Sequence, residues 1–390
     1  MARRANGETG RGVSRHLREV LELRRAPNRI RPDEYFAWRL FEKSPEEQRT
    51  FLGTANDGII NYMVASPLWT GIARDKLLFH NLFSSLGYRV PRIQLLYTPT
   101  GRTCAGALIA RDRASLVAAL RELTCPAFAK PLGGDVGLGA YFIRSVDKRA
   151  DSVVMLSGET LPLAAFAESV LKTGLGGYVF QDVLENGPEL RQMLGCEITS
   201  MRLCVAREKG SYKTLRAFLK VRVAGNATDN WDYGRYGNAL AILDEESGQI
   251  TDVLTGAYPD VQHGTAHPVT GEVLVGKFIP RYGEIRNYAE KAATEYPGLV
   301  IQHWDMVLTA DGPTLLEVNE DGSLHALQGM GSRGMLDDRL QAILAEHGHD
   351  VRSARTQEFM RSASRLMNQA YAMDNALMGR GTFYKPVTHL

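Results

Sequence analysis

The sequence has 390 residues, of which 44% are hydrophobic and 23% are charged, and its formal net charge at pH 7 is +2. This length is too great for one compact core and suits two or three lobes, and the near-neutral charge gives no general reason to expect a nucleic acid partner. No apolar run approaches the roughly 20 residues of a membrane-spanning helix, and the N-terminal stretch lacks the apolar core of a signal peptide. These features predict a cytoplasmic protein without a membrane span.

The cysteine pattern gives no sign of a metal site or of a disulfide framework. Cys104, Cys125, Cys196 and Cys204 form no CxxC pair, and a chain of 390 residues does not need disulfides for its stability. We therefore expect these four residues to be buried free thiols.

The chain begins with a basic stretch that has helical periodicity. About ten arginines and about five acidic residues occur in the first 40 positions, and Leu17, Val20 and Leu21 recur at helical spacing. The pattern predicts a basic amphipathic helix within a mostly helical N-terminal region, residues 1–70. Such a helix either has a solvated face or docks on the fold, or it contacts an anionic surface or partner.

The pattern changes from helical to strand-like near Arg92, after two further helical segments that begin at Ser44 and Asp75. The runs RIQLLYT, AFAKP, GAYFIRS and YVFQDVL predict strands, with a helix, RASLVAALREL, after the first. Further on, MRLCVARE and TLRAFLKVRV predict one strand pair, and LVIQHWDMVLT and PTLLEVN, joined by ADG, predict another. Beyond Gly334, RLQAILAEHG and SRLMNQAYAMDNALM predict helices. This arrangement indicates an α+β fold.

The last predicted strand pair concentrates oxygen-bearing side chains. Glu317 and Asn319 are two residues apart and therefore share one face of a strand, and antiparallel pairing brings Asp305 on the partner strand beside Glu317. Carboxylate and amide oxygens suit magnesium, which takes its remaining ligands from water and phosphate. These residues predict a site for a magnesium-bound nucleotide, with an ordinary solvated hairpin end as the alternative.

A glycine-rich loop follows an earlier predicted strand that ends in Lys-Pro. Lys130 stands at that strand end, and Gly133, Gly134, Gly137 and Gly139 follow before the next strand. Such a loop lets backbone N–H groups approach a phosphate, and Lys130 adds a positive charge. The pattern is not GxxxxGK[ST], so it does not indicate a P-loop. A flexible hairpin without a ligand is the alternative.

Together these ordered segments resemble the ATP-grasp superfamily: the Lys-Pro strand with its glycine loop, the strand YVFQDVL, and Asp followed by Glu-x-Asn. The blocks RDKLLFHNLFSSLGYRVPR, ITSMRLCV, ATDNWDYGRYGNALAILDEESGQI and HPVTGEVLVGKFIP are similar to those of the sugar-transfer-associated ATP-grasp family. The resemblance implies an ATP-grasp fold with two α+β lobes that enclose Mg-ATP, an N-terminal helical extension and C-terminal helices. The implied divisions are 1–70, 71–185 for the first lobe, 186–335 for the second lobe with the metal site, and 336–390.

The resemblance also implies which residues bind the nucleotide. Lys76 and Lys130 match the two lysines that contact the phosphates. The hinge that holds adenine matches Gln181, Asp182 and Val183, mainly through their backbone groups. Glu189 falls where an acid binds the ribose.

The same resemblance assigns residues to the metal and to the reacting groups. Asp305, Glu317 and Asn319 would be the magnesium ligands. Arg202 and Arg222, in the central strands, would direct positive charge at the γ-phosphate and at the developing acyl phosphate.

A polar and aromatic loop between strands is a candidate for acceptor binding. It contains Asn230, Asp232 and Tyr233, and such loops often carry specificity. His267 matches another family block and is a further acceptor-binding candidate. The alternatives are a packed structural loop and a histidine whose hydrogen bonds are satisfied by the backbone.

The function that the resemblance implies is ATP-dependent ligation of a carboxylate to an amine or a thiol through an acyl phosphate. The product would be an amide on a carboxylated sugar, an amino acid or a peptide. The implied cofactors are ATP and Mg²⁺. The implied partners are a small-molecule carboxylate and a nucleophile, for which an amine is the first expectation. A homodimer is left open. The alternatives are a kinase that phosphorylates a hydroxyl and a nucleotide-binding regulator without turnover.

Overall fold

The computed structural model describes most of the chain: residues 7, 10–56, 59–133, 137, 139–173, 176–195, 198–223, 225–320, 322–351, 353–360, 362 and 363. Three sequence predictions fall outside these residues. They concern Gly134 of the glycine loop, the thiol of Cys196, and the last predicted helix, SRLMNQAYAMDNALM.

The first of two seven-stranded sheets contains the strands that precede residue 183. Its strands, in the spatial order β2-β1-β7-β3-β4-β5-β6, pair antiparallel except for the parallel pair β1 and β2. In chain order they are β1 Ile93–Tyr97, β2 Leu108–Ala110, β3 Ala127–Pro131, β4 Tyr141–Asp147, β5 Ser152–Met155, β6 Thr160–Pro162 and β7 Tyr178–Asp182.

The second sheet is antiparallel throughout and has the order β12-β11-β10-β9-β8-β13-β14. Its strands other than the short, exposed edge strand β12 are mostly apolar, as expected of a sheet that is covered on both faces. They are β8 Met201–Glu208, β9 Ser211–Val221, β10 Ala239–Leu243, β11 Ile250–Thr255, β12 Gln262–Gly264, β13 Ile301–Thr309 and β14 Gly312–Asn319.

Helices cover these sheets and lie mainly before, between and after the strand-rich segments. In chain order the α-helices are α1 Val13–Arg25, α2 Pro32–Ala37, α3 Pro45–Gln48, α4 Ile59–Met63, α5 Thr70–Arg74, α6 Lys76–Ser85, α7 Arg113–Leu120, α8 Leu163–Thr173, α9 Pro188–Leu194, α10 Tyr282–Thr294, α11 Leu324–Leu327 and α12 Asp338–Glu346. The predicted α+β class is confirmed. None of the described helices is long and apolar enough to cross a bilayer.

Separate apolar clusters hold the layers together. Helices α7 and α8 pack on the first sheet, and α6, α9 and α10 pack on one face of the second sheet. The N-terminal helices, together with α11 and α12, cover the other face of the second sheet. Each sheet therefore has its own core, which leaves space for a cleft between the two sheets.

The basic N-terminal helix α1 is part of this second core. Val20 and Leu23 are buried in the cluster that covers the second sheet, whereas Leu17 and Leu21 on the opposite side are exposed. Of the alternatives that the sequence left open, the structure shows a helix that docks on the fold. Contact with an anionic partner through the exposed face stays a prediction.

The three described cysteines are free thiols. Cys104 and Cys204 are buried, whereas Cys125 is only half-buried, so the predicted burial is wrong for that residue. Burial raises the pKa of the Cys204 thiol to about 12. This thiol is therefore protonated at neutral pH and is a packing residue rather than a nucleophile.

Candidate active site

A cleft of about 880 Å³ lies between the two sheets. The first sheet contributes Lys130 and Gln181 to its lining, and the second sheet contributes Arg202, Asp305 and Glu317. Small-molecule sites usually have volumes of roughly 300–1,000 Å³ and a few convergent polar groups. The cleft has both properties.

The predicted acidic hairpin forms the floor of this cleft. Strands β13 and β14 pair antiparallel with Asp305 directly opposite Glu317, which confirms the predicted register. Asn319, two residues further along β14, also lines the cleft, and its Nδ2 atom is buried without a hydrogen-bond partner among the described residues. The hairpin therefore presents three oxygen-bearing side chains to one space.

Two cations of the second sheet hold Asp305. Arg202 on β8 donates from Nε and a terminal nitrogen to the two carboxylate oxygens at 2.7 and 2.6 Å, and Lys220 on β9 donates to Oδ2 at 2.9 Å. Burial alone would raise the pKa of Asp305, but Arg202 and Lys220 more than offset it and hold this pKa well below its usual value. Asp305 is therefore ionised at neutral pH.

Glu317 makes a looser contact across the cleft. Its Oε2 lies 3.7 Å from Nζ of Lys130, which comes from the first sheet. Burial would raise the pKa of Glu317, but Lys130 and then Lys76 lower it, and the net shift is downward. Burial lowers the pKa of Lys130, and Glu317 only partly opposes this. This pair connects the two walls of the cleft.

Local capping places Lys76 beside Lys130. Asp75 accepts hydrogen bonds from the backbone N–H groups of Leu77 and Leu78, so helix α6 begins at Lys76. The backbone N–H of Lys76 donates to the carbonyl oxygen of Leu132, just after β3. The predicted phosphate lysines thus lie on connected elements, and both line the cleft.

Positive charge dominates this part of the cleft. Five cationic side chains line it near the two hairpin acids: Lys76, Lys130, Arg202, Lys220 and Arg222. A buried site with this excess of positive charge attracts an anion that carries several negative charges, because the low dielectric strengthens each interaction. The arrangement suits a polyphosphate.

Lys220 is a cationic residue of the cleft that was not among the residues predicted from the sequence. Its signal was available in the sequence, because Lys220 and Arg222 stand two residues apart in the predicted strand TLRAFLKVRV and would share one face of it. Arg222 itself lies one residue beyond the last residue of β9, so the prediction that it lies within the strand is corrected by one position. Its Nε donates to the carbonyl oxygen of Asn226 at 2.7 Å, and its guanidinium carbon lies 5.9 Å from the ring centre of Phe142 on the first sheet.

The predicted hinge residues Gln181, Asp182 and Val183 line the cleft at the end of β7. The side chain of Asp182 is already engaged, since both its oxygens accept hydrogen bonds from Arg92 at 2.9 Å and one also accepts from Gln94 at 2.7 Å. A contribution to ligand binding from Asp182 would therefore come from its backbone, as the resemblance implied.

Part of the glycine loop lies at the cleft. Gly137 lines it and has φ +74°, and a Cβ atom there would lie 3.5 Å from the side chain of Thr228 on the opposite wall. Gly139 has φ +72°, and its carbonyl oxygen accepts a hydrogen bond from Tyr178 Oη at 2.6 Å. These positive φ values favour glycine. Gly133 and Gly139 are not among the residues that line the cleft.

The predicted acceptor loop also reaches the cleft, where Asn230, Asp232 and Tyr233 form part of the lining. The side chain of Asn238 supports the loop, because its Nδ2 donates to the carbonyl oxygens of Thr228 and Asn230 at 3.0 and 2.7 Å. The loop therefore has a defined shape when it meets a ligand.

Two further predicted site residues do not line the cleft. Glu189 is exposed in the first turn of α9, and His267 lies in a separate loop; neither is part of the lining. The Nδ1 atom of His267 accepts hydrogen bonds from the backbone N–H groups of Val269 and Thr270 at 3.2 and 3.3 Å. The backbone therefore satisfies Nδ1, as the structural alternative expected, whereas Nε2 is buried without a hydrogen-bond partner among the described residues.

The lining also includes residues far from the predicted motifs. Arg31, from the N-terminal region, and Tyr258 and His325 line the cleft together with Tyr233. The rings of Tyr233 and Tyr258 have centres 4.9 and 5.5 Å from that of His325, in edge-to-face contact. The N-terminal region and α11 therefore complete the cleft.

Replacing His325 with glutamine should make the free energy of unfolding depend less on pH in the acidic range. Burial, with Arg31 adding to it, lowers the pKa of His325 to about 3, whereas an unfolded histidine titrates near 6.5. Between these values only the unfolded chain binds the proton, so the free energy of unfolding falls by about 1.4 kcal/mol per pH unit as the pH decreases. Urea unfolding between about pH 6 and pH 4 should give a slope that is smaller by this amount in the variant. Equal slopes would show that folded His325 titrates normally.

The hairpin residues fit a magnesium ion. Magnesium needs only one or two carboxylates when phosphate oxygens and water complete its shell, and Asp305 and Glu317, with the amide of Asn319, provide that set. The part of the chain that the structure describes contains no cluster of three or more His, Cys, Asp or Glu side chains, so a histidine- or cysteine-rich site for another metal is not present there.

Structural comparison finds distant matches among solved proteins. An N5-carboxyaminoimidazole synthase from Aspergillus clavatus matches at 11% identity and TM-score 0.40, over 72% of this chain and 54% of that chain. A D-alanine–D-alanine ligase from Helicobacter pylori matches at 12% identity and TM-score 0.41, over 76% of this chain and 69% of that chain. A biotin carboxylase from Campylobacter jejuni matches at 14% and 0.41, over 75% and 50%. The chain thus spans about half the length of the first and third of these proteins.

Sequence comparison gives the decisive match. No curated protein matches the sequence significantly. The model of the family described as sugar-transfer associated ATP-grasp matches residues 67–345, which is more than half of the chain. This region contains both sheets and the acidic hairpin, and the predicted ATP-grasp fold is confirmed. The chain therefore belongs to the sugar-transfer-associated ATP-grasp family.

Proposed function

We propose that the protein is an ATP-dependent ligase that activates a carboxylic acid as an acyl phosphate and joins it to an amine. The observation that supports this most directly is the set of cations around the ionised hairpin acids. Phosphoryl transfer requires positioning and charge neutralisation more than covalent assistance from the protein. Membership in the ATP-grasp family supports ATP as the phosphoryl donor.

In the first step a carboxylate oxygen of the acceptor attacks the γ-phosphorus of ATP. The bond from this phosphorus to the β,γ-bridging oxygen breaks, and ADP leaves with the electron pair. Lys76 and Lys130 bind the phosphates, and Arg202 and Lys220, which Asp305 holds in place, neutralise charge on the transferred group. Asp305, Glu317 and Asn319 would hold Mg²⁺, which supplies further charge neutralisation when bound.

In the second step the amine attacks the acyl carbon. The tetrahedral oxyanion that forms needs a fixed donor, and Arg222 is suited to this role because Asn226 and Phe142 fix its guanidinium at the edge of the cleft. The carbon–oxygen bond to the phosphate then breaks, and phosphate leaves with the proton that the amine nitrogen loses. The products are an amide, ADP and phosphate.

The proposal is tested by trapping the activated acid. The purified protein is incubated with Mg-ATP and pools of carboxylic acids, with and without hydroxylamine, and ADP, phosphate and hydroxamates are followed by mass spectrometry. A hydroxamate formed together with ADP supports the ligase and identifies its acid. A stable phosphorylated product without hydroxamate would indicate a kinase, and nucleotide binding without any product would indicate a regulator.

Replacing Lys130 with methionine should weaken the binding of a non-hydrolysable ATP analogue by about 10- to 100-fold. Methionine keeps most of the length of the side chain but removes a charge-assisted contact worth about 1.5–3 kcal/mol. Calorimetric titration measures this change. Lys148→Met is the matched control, because Lys148 is an exposed lysine that directly follows β4 of the same sheet and pairs with Glu122. Equal affinities of wild type and Lys130→Met would remove Lys130 from the phosphate site.

A further inference from the structure

One part of the cleft lining has a different chemical character from the cationic part. Trp231, Tyr233, Tyr258 and His325, which we call the aromatic subsite, all line the cleft. Their rings form a continuous chain, with centres 6.0 Å apart for Trp231 and Tyr233, 4.9 Å for Tyr233 and His325, and 5.5 Å for His325 and Tyr258. Rings in this arrangement offer flat apolar surface to a ligand.

The two arginines beside the aromatic subsite pair with acids. Arg31 pairs with Asp33 at 2.8 Å and with Glu34 at 3.4 Å, and Arg235 pairs with Asp232 at 3.8 Å. This contrasts with the other part of the cleft, where five cations face two acids. A ligand group at the aromatic subsite therefore meets no excess of positive charge and needs no negative charge of its own.

The subsite contains buried polar atoms that lack partners. The two ring nitrogens of His325 and the indole nitrogen of Trp231 have no hydrogen-bond partner among the described residues. Both side chains are buried, with His325 1% exposed and Trp231 5% exposed. Leaving a buried polar atom without a hydrogen-bond partner is unfavourable, so such atoms in a cleft lining point to a ligand that satisfies them. The indole nitrogen is a donor, and a neutral imidazole is both a donor and an acceptor. Hydroxyl groups match this mixed set.

We propose that the aromatic subsite binds an uncharged, hydroxyl-bearing ring in the acceptor acid. The ring would pack against Tyr233 and Tyr258 while its hydroxyls bond to His325 and Trp231. The carboxylate of the same molecule would extend toward Arg222 and the cationic part of the cleft. This assignment rests on the proposed function for the identity of the ligand as an acceptor, but it predicts binding without nucleotide.

The test is ligand binding to the full chain labelled with 5-fluorotryptophan. The sequence has four tryptophans, so the ¹⁹F NMR spectrum has few signals, and the one that is lost in Trp231→Phe belongs to Trp231. The probes are cyclic hydroxylated acids, namely quinate, shikimate, glucuronate and galacturonate, and the open-chain acid gluconate. 4-Hydroxybenzoate tests an aromatic ring in their place. The proposal predicts that at least one cyclic hydroxylated acid shifts the Trp231 signal saturably and binds at least tenfold more tightly than gluconate or 4-hydroxybenzoate.

Variants locate the binding. His325→Phe should weaken the best cyclic acid at least tenfold, and His325→Gln, which keeps a donor and an acceptor but no ring, provides a second variant if the first fails to fold. His267→Phe is the matched control, because His267 is also a buried histidine but is not part of the cleft lining. This variant should bind the best cyclic acid with the affinity of wild type. Unchanged affinity in both His325 variants would overturn the proposal.

Other outcomes separate this assignment from the ligase itself. Absence of a Trp231 shift with every cyclic acid, equal binding of gluconate, or tighter binding of 4-hydroxybenzoate would each overturn the subsite. Cyclic-acid binding without any hydroxamate would preserve the subsite and contradict the ligase. Hydroxamate formed only from open-chain acids would preserve the ligase and contradict the subsite.

Discussion

Replacing Glu317 with glutamine should lower magnesium-dependent ATP turnover by at least about 100-fold, which corresponds to roughly 2.7 kcal/mol of transition-state stabilisation. Glutamine keeps the shape of the side chain but removes its charge. Glu317 faces the cleft and its contact with Lys130 is 3.7 Å long, so the fold depends little on that contact. The thermal midpoint should therefore stay close to that of wild type. ADP release, measured in a coupled assay, and thermal unfolding followed by circular dichroism give the two quantities.

The control for this variant is Glu320→Gln. Glu320 follows the end of the same strand, but it pairs with Arg74 at 2.6 Å and does not line the cleft. Turnover by this variant should remain within a few-fold of wild type. If Glu317→Gln turned ATP over at a near-normal rate across a magnesium titration, Glu317 could not be a metal ligand.

Replacing Asp305 with asparagine should have its largest effect on stability. It removes a carboxylate that pairs with both Arg202 and Lys220, at 2.6 and 2.9 Å, and leaves these two largely buried cations near each other. Loss of one partner of a buried ion pair costs about 3–5 kcal/mol. For a folding unit of about 150–250 residues, the size range of the predicted second lobe, a loss of 3 kcal/mol lowers the thermal midpoint by about 6–12 °C. Differential scanning calorimetry measures this shift.

The pH dependence gives this prediction a second test. The folded pKa of Asp305 lies below its unfolded value of about 3.9. Its stabilising contribution is therefore complete above that value and is lost as the pH falls through the folded pKa. The difference in the free energy of unfolding between wild type and Asp305→Asn should be constant above about pH 5 and should become smaller below about pH 4. Asp151→Asn is the matched control, because Asp151 and Arg121 form a salt bridge that is about half exposed, and loss of such an exposed pair changes stability little. Similar losses in the two variants would contradict the role of Asp305.

The acidic hairpin was predictable from the sequence because local rules determine its geometry. Strand alternation places Glu317 and Asn319 on one face, and the ADG turn sets the antiparallel register that brings Asp305 opposite Glu317. Lys130 was predictable for a similar reason, since it stands at the end of an apolar strand just before a glycine loop. These residues carry their information within a few positions of the chain.

Glu189, His267 and Lys220 show where such local information ends. Glu189 and His267 were assigned by matching blocks, and a block match does not say which way a side chain points; both lie away from the cleft. Lys220 was overlooked because a lysine in a strand resembles many surface lysines until its partner is known. Its partner, Asp305, is 85 positions away in sequence.

The aromatic subsite could not have been derived from one segment. Its residues come from three separate stretches of the chain, and Arg31 beside them comes from a fourth, in the N-terminal region. His325 stands in a four-residue helix, α11, that no periodicity marks. Only the packing of the N-terminal helices on the second sheet brings these residues together. Long-range packing of this kind is outside the reach of pattern analysis.

The most direct test of the account follows oxygen from the acid to phosphate. The acid identified by hydroxamate formation is labelled with ¹⁸O at both carboxylate oxygens and is converted to the amide with unlabelled ATP in unlabelled water. An acyl phosphate transfers one of these oxygens to phosphorus, and the later break on the carbon side leaves it there. We expect each released phosphate to contain one ¹⁸O atom. Phosphate without ¹⁸O, formed at the same rate as the amide, would contradict an acyl-phosphate ligase.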